Sequence, residues 1–266
     1  MPVRIVQSKQ NPRLKELRSA LAHPDQANDG SILAAIEGPK LLAEALRSQL
    51  RLVCVFVAQG QEALLDELLL PPQTDVLLVP KEILDSSLST ETPQSIAALV
   101  EPPKWDWADL LPISPTTVPL LLILASLQDP GNLGTILRSA EAFGATGILS
   151  LPGTVSAWNS KAVRASAGSL FRLPLLSVSA DECIERLRQA GVKIWTTALH
   201  NAQAAERINL AEPVAIIIGN EGSGVPQELA SQADGALRIP CSGPVESLNA
   251  SVACSILLYE ISRQRA

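Results

Sequence analysis

The sequence predicts an α/β protein of two domains, in which helices cover both faces of each sheet. Short, continuous apolar runs alternate with helical segments along the chain, a pattern typical of strands buried on both faces. The stretch EPPKWDWADLLPISPTTVP has five prolines and no apolar periodicity, which indicates a linker. Apolar residues make up 47% of the 266 residues and aromatic residues only 3%, so the cores must be aliphatic. We therefore predict domains at residues 1–100 and 118–266, joined by a linker at residues 101–117.

The elements of the N-terminal domain follow from local patterns. A basic helix is predicted at residues 11–21. A strand in ILAAIEG, a helix in PKLLAEALRSQ and a strand in RLVCVFVAQ come next, and Pro39 suits the first turn of that helix. A helix in QEALLDELLL and a strand in TDVLLVP complete the alternation. This order favours a parallel or mixed sheet between two helical layers.

The C-terminal domain repeats the plan. Strands are predicted in PLLLILAS, GILSL, VKIWTT, VAIIIGN and ALRIP, with helices between them. The last helix follows ESLNAS and is nearly all apolar, so we expect it to be buried. Its N-terminus would then face protein or a ligand rather than open water, and backbone donors at that end favour electron-rich groups.

Composition limits the class of protein. No run reaches the roughly 20 apolar residues that a membrane span requires, and the first residues, MPVRIVQSKQNPRLK, have no apolar core for export. We expect a cytoplasmic protein. The cysteines are Cys54, Cys183, Cys241 and Cys254, and the histidines are His23 and His200. No CxxC pair occurs and neither histidine is near a cysteine, which argues against zinc and against a disulfide framework and predicts buried, reduced thiols and no metal.

The net charge of −6 alone counts against a nucleic-acid partner. Two local segments are nevertheless basic: residues 1–20 carry a net charge of +4, and residues 138–172 carry +3. Such segments could attract a polyanion, or they could be ordinary solvated surface. Lys161 and Arg164 are the candidates for binding RNA phosphates.

Three polar turns follow strands of the C-terminal domain: QDPGNLGTILR, GNEGSGVP and PCSGPVESLNAS. Ligands of open α/β sheets bind beyond the carboxyl ends of the strands. Neither GxGxxG nor GK[ST] is present, so a dinucleotide fingerprint and a phosphate loop are excluded. Glu221 lies among small residues and needs a partner or water. Ser247 and Asn249 could act as helix caps, which is the structural alternative to a functional role.

These turns resemble a known family. NLGTILRSAEAFGATGI, IIIGNEGSGVPQEL and IPCSGPVESLNASVA are similar, in order, to motifs 1, 2 and 3 of the SpoU (TrmH-type) RNA 2′-O-ribose methyltransferases. WNSKAVRASAGSLFRLPL, between motifs 1 and 2, also resembles the family. In the N-terminal domain, IVQSKQNPRLKELRSAL and IEGPKLLAEAL resemble the substrate-binding domain of members that modify ribosomal RNA. The family usually has a basic segment between these two pieces, whereas this chain has AHPDQANDGSILAA.

The resemblance implies a fold and an assembly that composition does not reveal. The C-terminal domain would contain a deep trefoil knot, built from the loops of motifs 2 and 3, in which S-adenosylmethionine is bound. The protein would be a homodimer whose active site is completed across the interface, with motif 1 of one protomer facing the knot of its partner.

The resemblance also assigns roles to residues. Arg138 corresponds to the catalytic arginine. Because a guanidinium keeps its proton above about pH 12, we expect Arg138 to clamp the phosphate beside the target ribose and to lower the pKa of the 2′-hydroxyl. Asn132 would fix this arginine or the ribose. Glu221, Ser247 and Asn249 would order the knot and orient the ribose or Arg138. The expected cofactor contacts are Thr197, Gly219, Ile239 and Leu248.

The expected function is therefore methyl transfer from S-adenosylmethionine to a ribose 2′-hydroxyl of 23S-type ribosomal RNA. Transfer RNA is an alternative substrate. A non-catalytic RNA-binding or ribosome-assembly protein of the same fold is an alternative class. The intact polar set Asn132, Arg138, Glu221, Ser247 and Asn249 favours the enzyme. A nucleotide-phosphate enzyme is opposed by the missing phosphate-loop lysine.

Overall fold

A computed structural model describes residues 3–27, 33–112, 117–244 and 247–266. The chain divides into two compact units: the first comprises Met1–Lys104 and Ser156–Arg172, and the second comprises Trp105–Val155 and Leu173–Ala266. The predicted boundary at residues 101–117 differs from this division in two respects, because the second unit begins at Trp105 and because residues 156–172 pack within the first unit. Residues 113–116 of the predicted linker lie outside the described residues.

The helices and strands of the described residues, in chain order, are β1 (Val3–Ile5), α1 (Pro12–Ala22), β2 (Ala34–Glu37), α2 (Pro39–Arg47), β3 (Leu52–Ala58), β4 (Asp75–Val79), α3 (Lys81–Asp85), β5 (Ile96–Val100), α4 (Trp107–Leu110), β6 (Leu120–Leu124), α5 (Pro130–Ala142), β7 (Gly147–Ser150), α6 (Ser160–Ser166), β8 (Leu175–Ser177), α7 (Ala180–Gln189), β9 (Lys193–Thr197), β10 (Gln203–Ala204), β11 (Val214–Ile218), α8 (Gln227–Ala230), β12 (Gly235–Arg238) and α9 (Ala250–Arg265).

The first unit is built on a sheet with the strand order β1-β4-β3-β5-β2. Strand β5 runs antiparallel to β2 and β3, whereas β1, β3 and β4 are parallel, so the sheet is mixed. The helix predicted in QEALLDELLL is wrong: only a 3₁₀ turn forms, at Glu62–Leu65. Within this stretch only Leu68 is buried, and Leu69 is 93% exposed. A short helix is marginal without an apolar face to pack, and the prolines that follow also disfavour it.

Residues 156–172 are held on the first unit by contacts far apart in sequence. Ser156 Oγ donates to the carbonyl of Pro24 over 3.0 Å, and Arg172 Nη1 donates to Glu44 Oε2 over 3.0 Å. Gly168 adopts φ +92°, and a Cβ there would lie 2.8 Å from Glu44 Cβ. Only glycine therefore allows this segment to approach α2 so closely.

The second unit contains a parallel sheet with the strand order β10-β12-β9-β11-β6-β7-β8. All five predicted strands are present as β6, β7, β9, β11 and β12. The additional strands β8 and β10 are edge strands of three and two residues, too short to produce a recognisable pattern. The α/β architecture is as predicted, while the trefoil knot stays a prediction.

The segment before β6 packs on the second unit rather than serving as a bare connection. Asp106 caps the short helix α4, and Leu110 is fully buried. Trp107 Nε1 donates to Glu182 Oε1 over 3.0 Å. Trp107 is therefore a packing residue of the second unit.

The thiols are as predicted with one exception. Cys54, Cys183 and Cys254 are buried and free, whereas Cys241 is exposed, because it lies in the turn after β12 and not within a strand or helix. Burial raises the pKa of both Cys54 and Cys183 to about 12. Among the described residues, no helix is long and apolar enough to cross a membrane, and no cluster of three or more potential metal ligands occurs.

Candidate active site

The candidate site lies where four neighbouring parallel strands end. Strands β12, β9, β11 and β6 are adjacent, so the turns that follow them emerge at one edge of the sheet. Thr197 pairs with Leu237, and its Oγ1 donates to the carbonyl of Ile217 over 2.9 Å. The register therefore places Thr197 beside the strand ends that lead to Gly219 and Ile239.

The turn after β6 leads directly into α5. Asp129 caps this helix, because its Oδ1 accepts from the backbone N–H of Asn132 over 2.8 Å. Ser126 adopts φ +58°, a left-handed conformation that is uncommon for a residue with a side chain. The side chain of Gln128 donates to the carbonyl of Gly153. This irregular turn sets the position of the N-terminus of α5.

Glu221 joins the turn after β11 to the start of α5. Its carboxylate accepts from the side chain of Asn132 over 2.9 Å and from the backbone N–H groups of Gln128 and Asp129 over 3.3 Å each. Burial by itself would raise the pKa of Glu221, but these hydrogen bonds, with one from its own backbone, outweigh burial and lower the pKa. The carboxylate is thus held charged against the positive end of the helix dipole.

Asn132 extends this connection to the third turn. Its Oδ1 accepts from Asn249 Nδ2 over 3.0 Å, and Asn249 Oδ1 in turn accepts from the backbone N–H groups of Ser251 and Val252. A carboxylate can only accept and a backbone N–H can only donate, so both amide orientations are fixed by their partners. Glu221, Asn132 and Asn249 form one chain of hydrogen bonds across the three motif turns, which we call the polar strap.

Asn220 is a site residue that the sequence reasoning missed. Its Nδ2 donates to the carbonyl of Ser126 over 2.9 Å, and its Oδ1 accepts from the backbone N–H groups of Gly222 and Ser223. An asparagine that bonds to backbone two residues onward is a recognised turn signal. The sequence Asn220-Glu221-Gly222 contains that signal, so the turn could have been predicted from the sequence. The hydrogen bond from Asn220 to Ser126 could not, because it joins residues far apart in the chain.

Gly219 is required by its own loop. A Cβ on this residue would lie 2.3 Å from the carbonyl carbon of Gly224 and 2.4 Å from Val225 N. Asn220 and Gly224 exchange two backbone hydrogen bonds of 3.0 and 2.9 Å, which brings the loop back over Gly219. The absent side chain of Gly219 therefore makes room for the backbone of Gly224 and Val225.

Arg138 and Ser247 are outside the polar strap. Arg138 lies on α5, is exposed, and has no hydrogen bond or ion pair with any described residue. Ser247 is also exposed and without a hydrogen bond in the described part of the chain. The amide of Asn132 is bonded to Glu221 and Asn249 and not to Arg138. The strap thus orients the helix that carries the arginine rather than the arginine itself.

The last helix, α9, is not fully buried, contrary to the sequence-based expectation. It packs against α5, where Ser139 and Ser255 hydroxyls lie 2.8 Å apart. Three of its apolar residues are nevertheless exposed: Val252 by 47%, Ile256 by 40% and Tyr259 by 58%, although the Tyr259 ring contacts the ring of Phe143 at the end of α5 edge-on. These positions are spaced by four and three residues and share one helix face.

The expected cofactor residues fit a flat, partly apolar ligand with polar edges. Ile239 and Leu248 are half-buried at the ends of their turns, and such side chains suit the face of an adenine. The hydroxyl of Thr197 donates its proton within the sheet, so towards a ligand this hydroxyl can only accept a hydrogen bond. Described backbone groups in the turns after β11 and β12 are the other polar groups near these strand ends. The residues present therefore fit S-adenosylmethionine.

The RNA-binding candidates Lys161 and Arg164 belong to the first unit. Both are exposed and lie one turn apart on α6. The cap of α6 is Asn159, whose side chain accepts from the backbone N–H of Lys161 over 2.9 Å. The structure therefore shows two accessible cations on one face of a short helix.

Comparison with known proteins identifies the family. The SpoU rRNA Methylase family matches residues 119–259. The family described as RNA 2′-O ribose methyltransferase substrate binding matches residues 35–105.

Similar proteins match along almost the whole chain. The 23S rRNA (guanosine(2553)-2′-O)-methyltransferase RlmP of Bacillus subtilis (strain 168) is 32% identical, over 96% of this chain and 98% of that protein. The AdoMet-bound rRNA methyltransferase from Sinorhizobium meliloti is 30% identical with a TM-score of 0.81, covering 98% of each chain. The SpoU methyltransferase AviRb from Streptomyces viridochromogenes, in complex with AdoMet, is 27% identical with a TM-score of 0.82, covering 96% of this chain and 98% of that chain. This chain therefore belongs to the SpoU family of S-adenosylmethionine-dependent RNA 2′-O-ribose methyltransferases.

Proposed function

We propose that the protein methylates a ribose 2′-hydroxyl of 23S-type ribosomal RNA in the cytoplasm, acting as a homodimer. The observation that carries this proposal is the polar strap, because Glu221, Asn132 and Asn249 connect the three turns that the family uses for catalysis and cofactor binding. All five polar residues that the resemblance assigns to the site are present in this chain: Asn132, Arg138, Glu221, Ser247 and Asn249. This favours a catalytic protein over a binding protein that has lost the chemistry.

S-adenosylmethionine, when bound, supplies a methyl group on a positively charged sulfur. The chain's own contribution is positioning. Half-buried Ile239 and Leu248 would hold the adenine, and the backbone of the Gly219 turn would hold the polar parts. Asn220 and Glu221 fix this turn to the segment around Ser126 and to α5, so the turn is held in place without the ligand.

Arg138 acts on the RNA. A guanidinium is charged at every physiological pH and cannot accept the hydroxyl proton. Its charge stabilises the developing alkoxide and binds the neighbouring phosphate, which lowers the pKa of the 2′-hydroxyl. Arg138 lies six residues beyond Asn132, about 9 Å along the helix axis. The strap fixes Asn132 and so fixes the direction in which α5 presents Arg138.

Replacing Arg138 by alanine tests this assignment. We expect Arg138→Ala to abolish methyl transfer to a 23S ribosomal RNA transcript, measured with tritiated S-adenosylmethionine, while calorimetry gives an unchanged affinity for S-adenosylmethionine. Arg207→Ala is the matched control, because Arg207 is another exposed arginine of the second unit without a partner among the described residues. Loss of cofactor binding in Arg138→Ala, or full activity, would contradict the role proposed for it.

The exposed face of α9 supports the homodimer. A two-fold interface uses the same patch on both protomers, and Val252, Ile256 and Tyr259 form such an apolar patch. Dimerisation through α9 would also bring α5, which packs on α9, to the interface, so that Arg138 of one protomer faces the cofactor pocket of its partner. The family's trefoil knot is part of the same proposal.

Sedimentation velocity tests the dimer. Ile256→Glu places a charge in the proposed interface and should yield monomers, whereas Leu199→Glu alters an apolar side chain that is similarly exposed, by 58%, on a loop. If both variants remain dimeric, the α9 interface is wrong. If both dissociate, the effect is not specific to α9.

Ribosomal RNA is favoured over transfer RNA by the first unit. A substrate-binding region precedes the methyltransferase region in this chain, and the similarity to RlmP extends over both. Lys161 and Arg164 would bind phosphates of that RNA. Mapping 2′-O-methyl groups in ribosomal and transfer RNA from cells with and without the gene decides between the substrates, and a lost site in transfer RNA alone would refute our choice.

A further inference from the structure

Helices α5 and α9 are joined by a pair of hydroxyl groups that lies outside the polar strap. Ser139 on α5 and Ser255 on α9 are both half-buried, and their Oγ atoms lie 2.8 Å apart. Apolar contacts are not directional, whereas a hydrogen bond is. The side chains that α5 buries are otherwise apolar, namely Leu133, Ile136, Leu137 and Ala140. The hydroxyl pair can therefore fix the orientation of α5 against α9 more strictly than the packing around it.

The donor and the acceptor of this pair follow from a neighbouring hydrogen bond. Ser255 Oγ donates to the backbone carbonyl of Ser251 over 2.7 Å, and a hydroxyl has only one proton to donate. Ser139 is therefore the donor to Ser255. The hydroxyl of Ser251 donates to Asn249 Oδ1 over 2.7 Å, so the pair adjoins the polar strap. Because Ser255 uses a backbone carbonyl, removing its hydroxyl leaves the bond between Ser251 and Asn249 in place.

The pair adds a second polar attachment between the two helices. The first attachment joins Asn249 to Asn132 over 3.0 Å. On α5, Asn132 and Ser139 are seven residues apart, which is nearly two turns and about 10.5 Å along the axis, so they share one face of the helix. On α9, Asn249 and Ser255 are six residues apart, about 9 Å along the axis. The two spacings are similar, so the helices run side by side in the same direction.

Two attachments restrict α5 more than one does. If Asn132 alone were held, the rest of the helix could tilt and rotate about its first turn. Arg138 immediately precedes Ser139, lies about 100° from it around the helix axis, and is exposed. A rotation of about 10° would move a group about 6 Å from the axis by about 1 Å. A misplacement of that size can cost about 100-fold in rate.

We propose that Ser139 and Ser255 are positioning residues for methyl transfer. Their hydrogen bond fixes the rotation of α5 and therefore the direction in which Arg138 meets the RNA. The inference rests on the proposed function, because it assumes the role given to Arg138. It adds that the orientation of this arginine depends on a contact between two helices as well as on the motif turns. A hydroxyl pair with a merely structural role would change the melting temperature and leave the rate of the folded enzyme unchanged.

A double-mutant cycle tests the pair. Ser139→Ala and Ser255→Ala each remove one hydroxyl, and alanine favours a helix, so both variants should fold, which circular dichroism checks. With a 23S ribosomal RNA transcript and tritiated S-adenosylmethionine, we expect each variant to lower kcat about 10-fold. The KM for the transcript and the affinity for S-adenosylmethionine should stay within about 3-fold of wild type. The double variant should lose no more than either single variant, because both remove the same bond. Independent losses would multiply to about 100-fold and would overturn the proposal.

Thr135→Ala is the matched control. Thr135 is another hydroxyl residue of α5, but its Oγ1 donates to the carbonyl of Gly131 in the same helix over 2.8 Å. We expect Thr135→Ala to keep kcat within about 2-fold of wild type. If it loses as much as Ser139→Ala, the effect is not specific to the contact with α9 and the inference is wrong. A folded Ser139→Ala protein with the kcat of wild type would also reject it.

The Arg138→Ala protein separates this inference from the proposed function. If Arg138→Ala is inactive while both serine variants keep the kcat of wild type, the role of Arg138 stands and the positioning role alone is rejected. If Arg138→Ala is fully active, the role proposed for the arginine fails and this inference fails with it. An inactive Arg138→Ala protein, together with an equally lowered kcat in both serine variants and in the double variant, supports both.

Discussion

Replacing Gly219 by alanine tests how the cofactor loop is built. The new Cβ would lie 2.3 Å from the carbonyl carbon of Gly224, whereas ordinary van der Waals contact begins at about 3.4 Å. The loop must therefore move by roughly 1 Å. The atoms in the way are backbone and cannot rotate aside as a side chain would. The substitution acts on the loop even though alanine is small and Gly219 has no positive φ.

The expected cost follows from the contacts that this movement breaks. Two backbone hydrogen bonds, of 3.0 and 2.9 Å, join Asn220 and Gly224, and a bond from Asn220 to Ser126 depends on the same turn. Overpacking of a tight site costs about 1–3 kcal/mol. We expect Gly219→Ala to lower the free energy of unfolding by that amount and to weaken S-adenosylmethionine binding at least about 10-fold, which corresponds to about 1.4 kcal/mol.

The control lies three residues away. A Cβ on Gly222 would have Asn220 Oδ1 as its nearest neighbour, at 3.6 Å, so Gly222→Ala should keep both stability and affinity within about 0.5 kcal/mol of wild type. Urea denaturation and calorimetry with S-adenosylmethionine measure both quantities at a temperature where all variants are folded. The reasoning is refuted if Gly219→Ala binds S-adenosylmethionine as wild type does, or if Gly222→Ala loses as much as Gly219→Ala.

Other predictions concern the polar strap and the thiols. Asn132→Ala breaks the bonds to Glu221 and Asn249 and should destabilise the protein by about 1 kcal/mol in urea denaturation; an unchanged midpoint would argue against the strap. The pKa of Glu221 is lowered in the folded protein, so its contribution to stability is present above the ordinary carboxyl pKa and is lost as the pH falls through the folded-state value. Glu221→Gln should remove that part of the acid dependence, and identical pH profiles would contradict it. Under native conditions iodoacetamide should modify Cys241 alone among the four cysteines, and all four in denaturant, as mass spectrometry can count.

The strands of the second unit were predictable because each is a continuous apolar run. Parallel strands covered on both faces need such runs, and the sequence around Leu120–Leu124 or Val214–Ile218 allows little else. The helix wrongly predicted in QEALLDELLL shows that apolar periodicity alone does not determine whether a short helix forms. Its periodic leucines are compatible with a helix, but only tertiary packing decides whether a short helix forms, and here Leu69 has nothing to pack against.

The placement of residues 156–172 could not be read from local patterns. The segment SKAVRAS forms helix α6, and nothing in its spacing says which sheet it covers. Contacts with Glu44 and Pro24, more than 100 residues away in the chain, hold it on the first unit. Sequence spacing constrains neighbours on one element, whereas partners on distant elements depend on the assembled fold.

The site was predictable as a set but not as a network. The motifs indicated that Asn132, Glu221 and Asn249 belong together, because their turns follow strands that end at one edge. They did not indicate that the amide of Asn132 is bonded to both of the others. That arrangement depends on loops 89 and 117 residues apart meeting within hydrogen-bond distance, which only the folded sheet order determines.

The polar strap distinguishes two kinds of motif residue: those whose polar groups bond to one another, and Arg138, which is outside the strap. Strap residues have their polar groups occupied by one another, so they are positioning residues, and their loss must disturb the fold of the turns along with the chemistry. Arg138 has no partner among the described residues, so its loss removes nothing that the structure depends on. Ordering a long, charged side chain costs conformational entropy. In our proposal, Arg138 becomes ordered only when it binds the substrate phosphate, and that interaction offsets the cost. Strap variants should therefore change stability, cofactor affinity and rate together, whereas Arg138 variants should lower the rate and the affinity for RNA and leave stability and cofactor affinity unchanged.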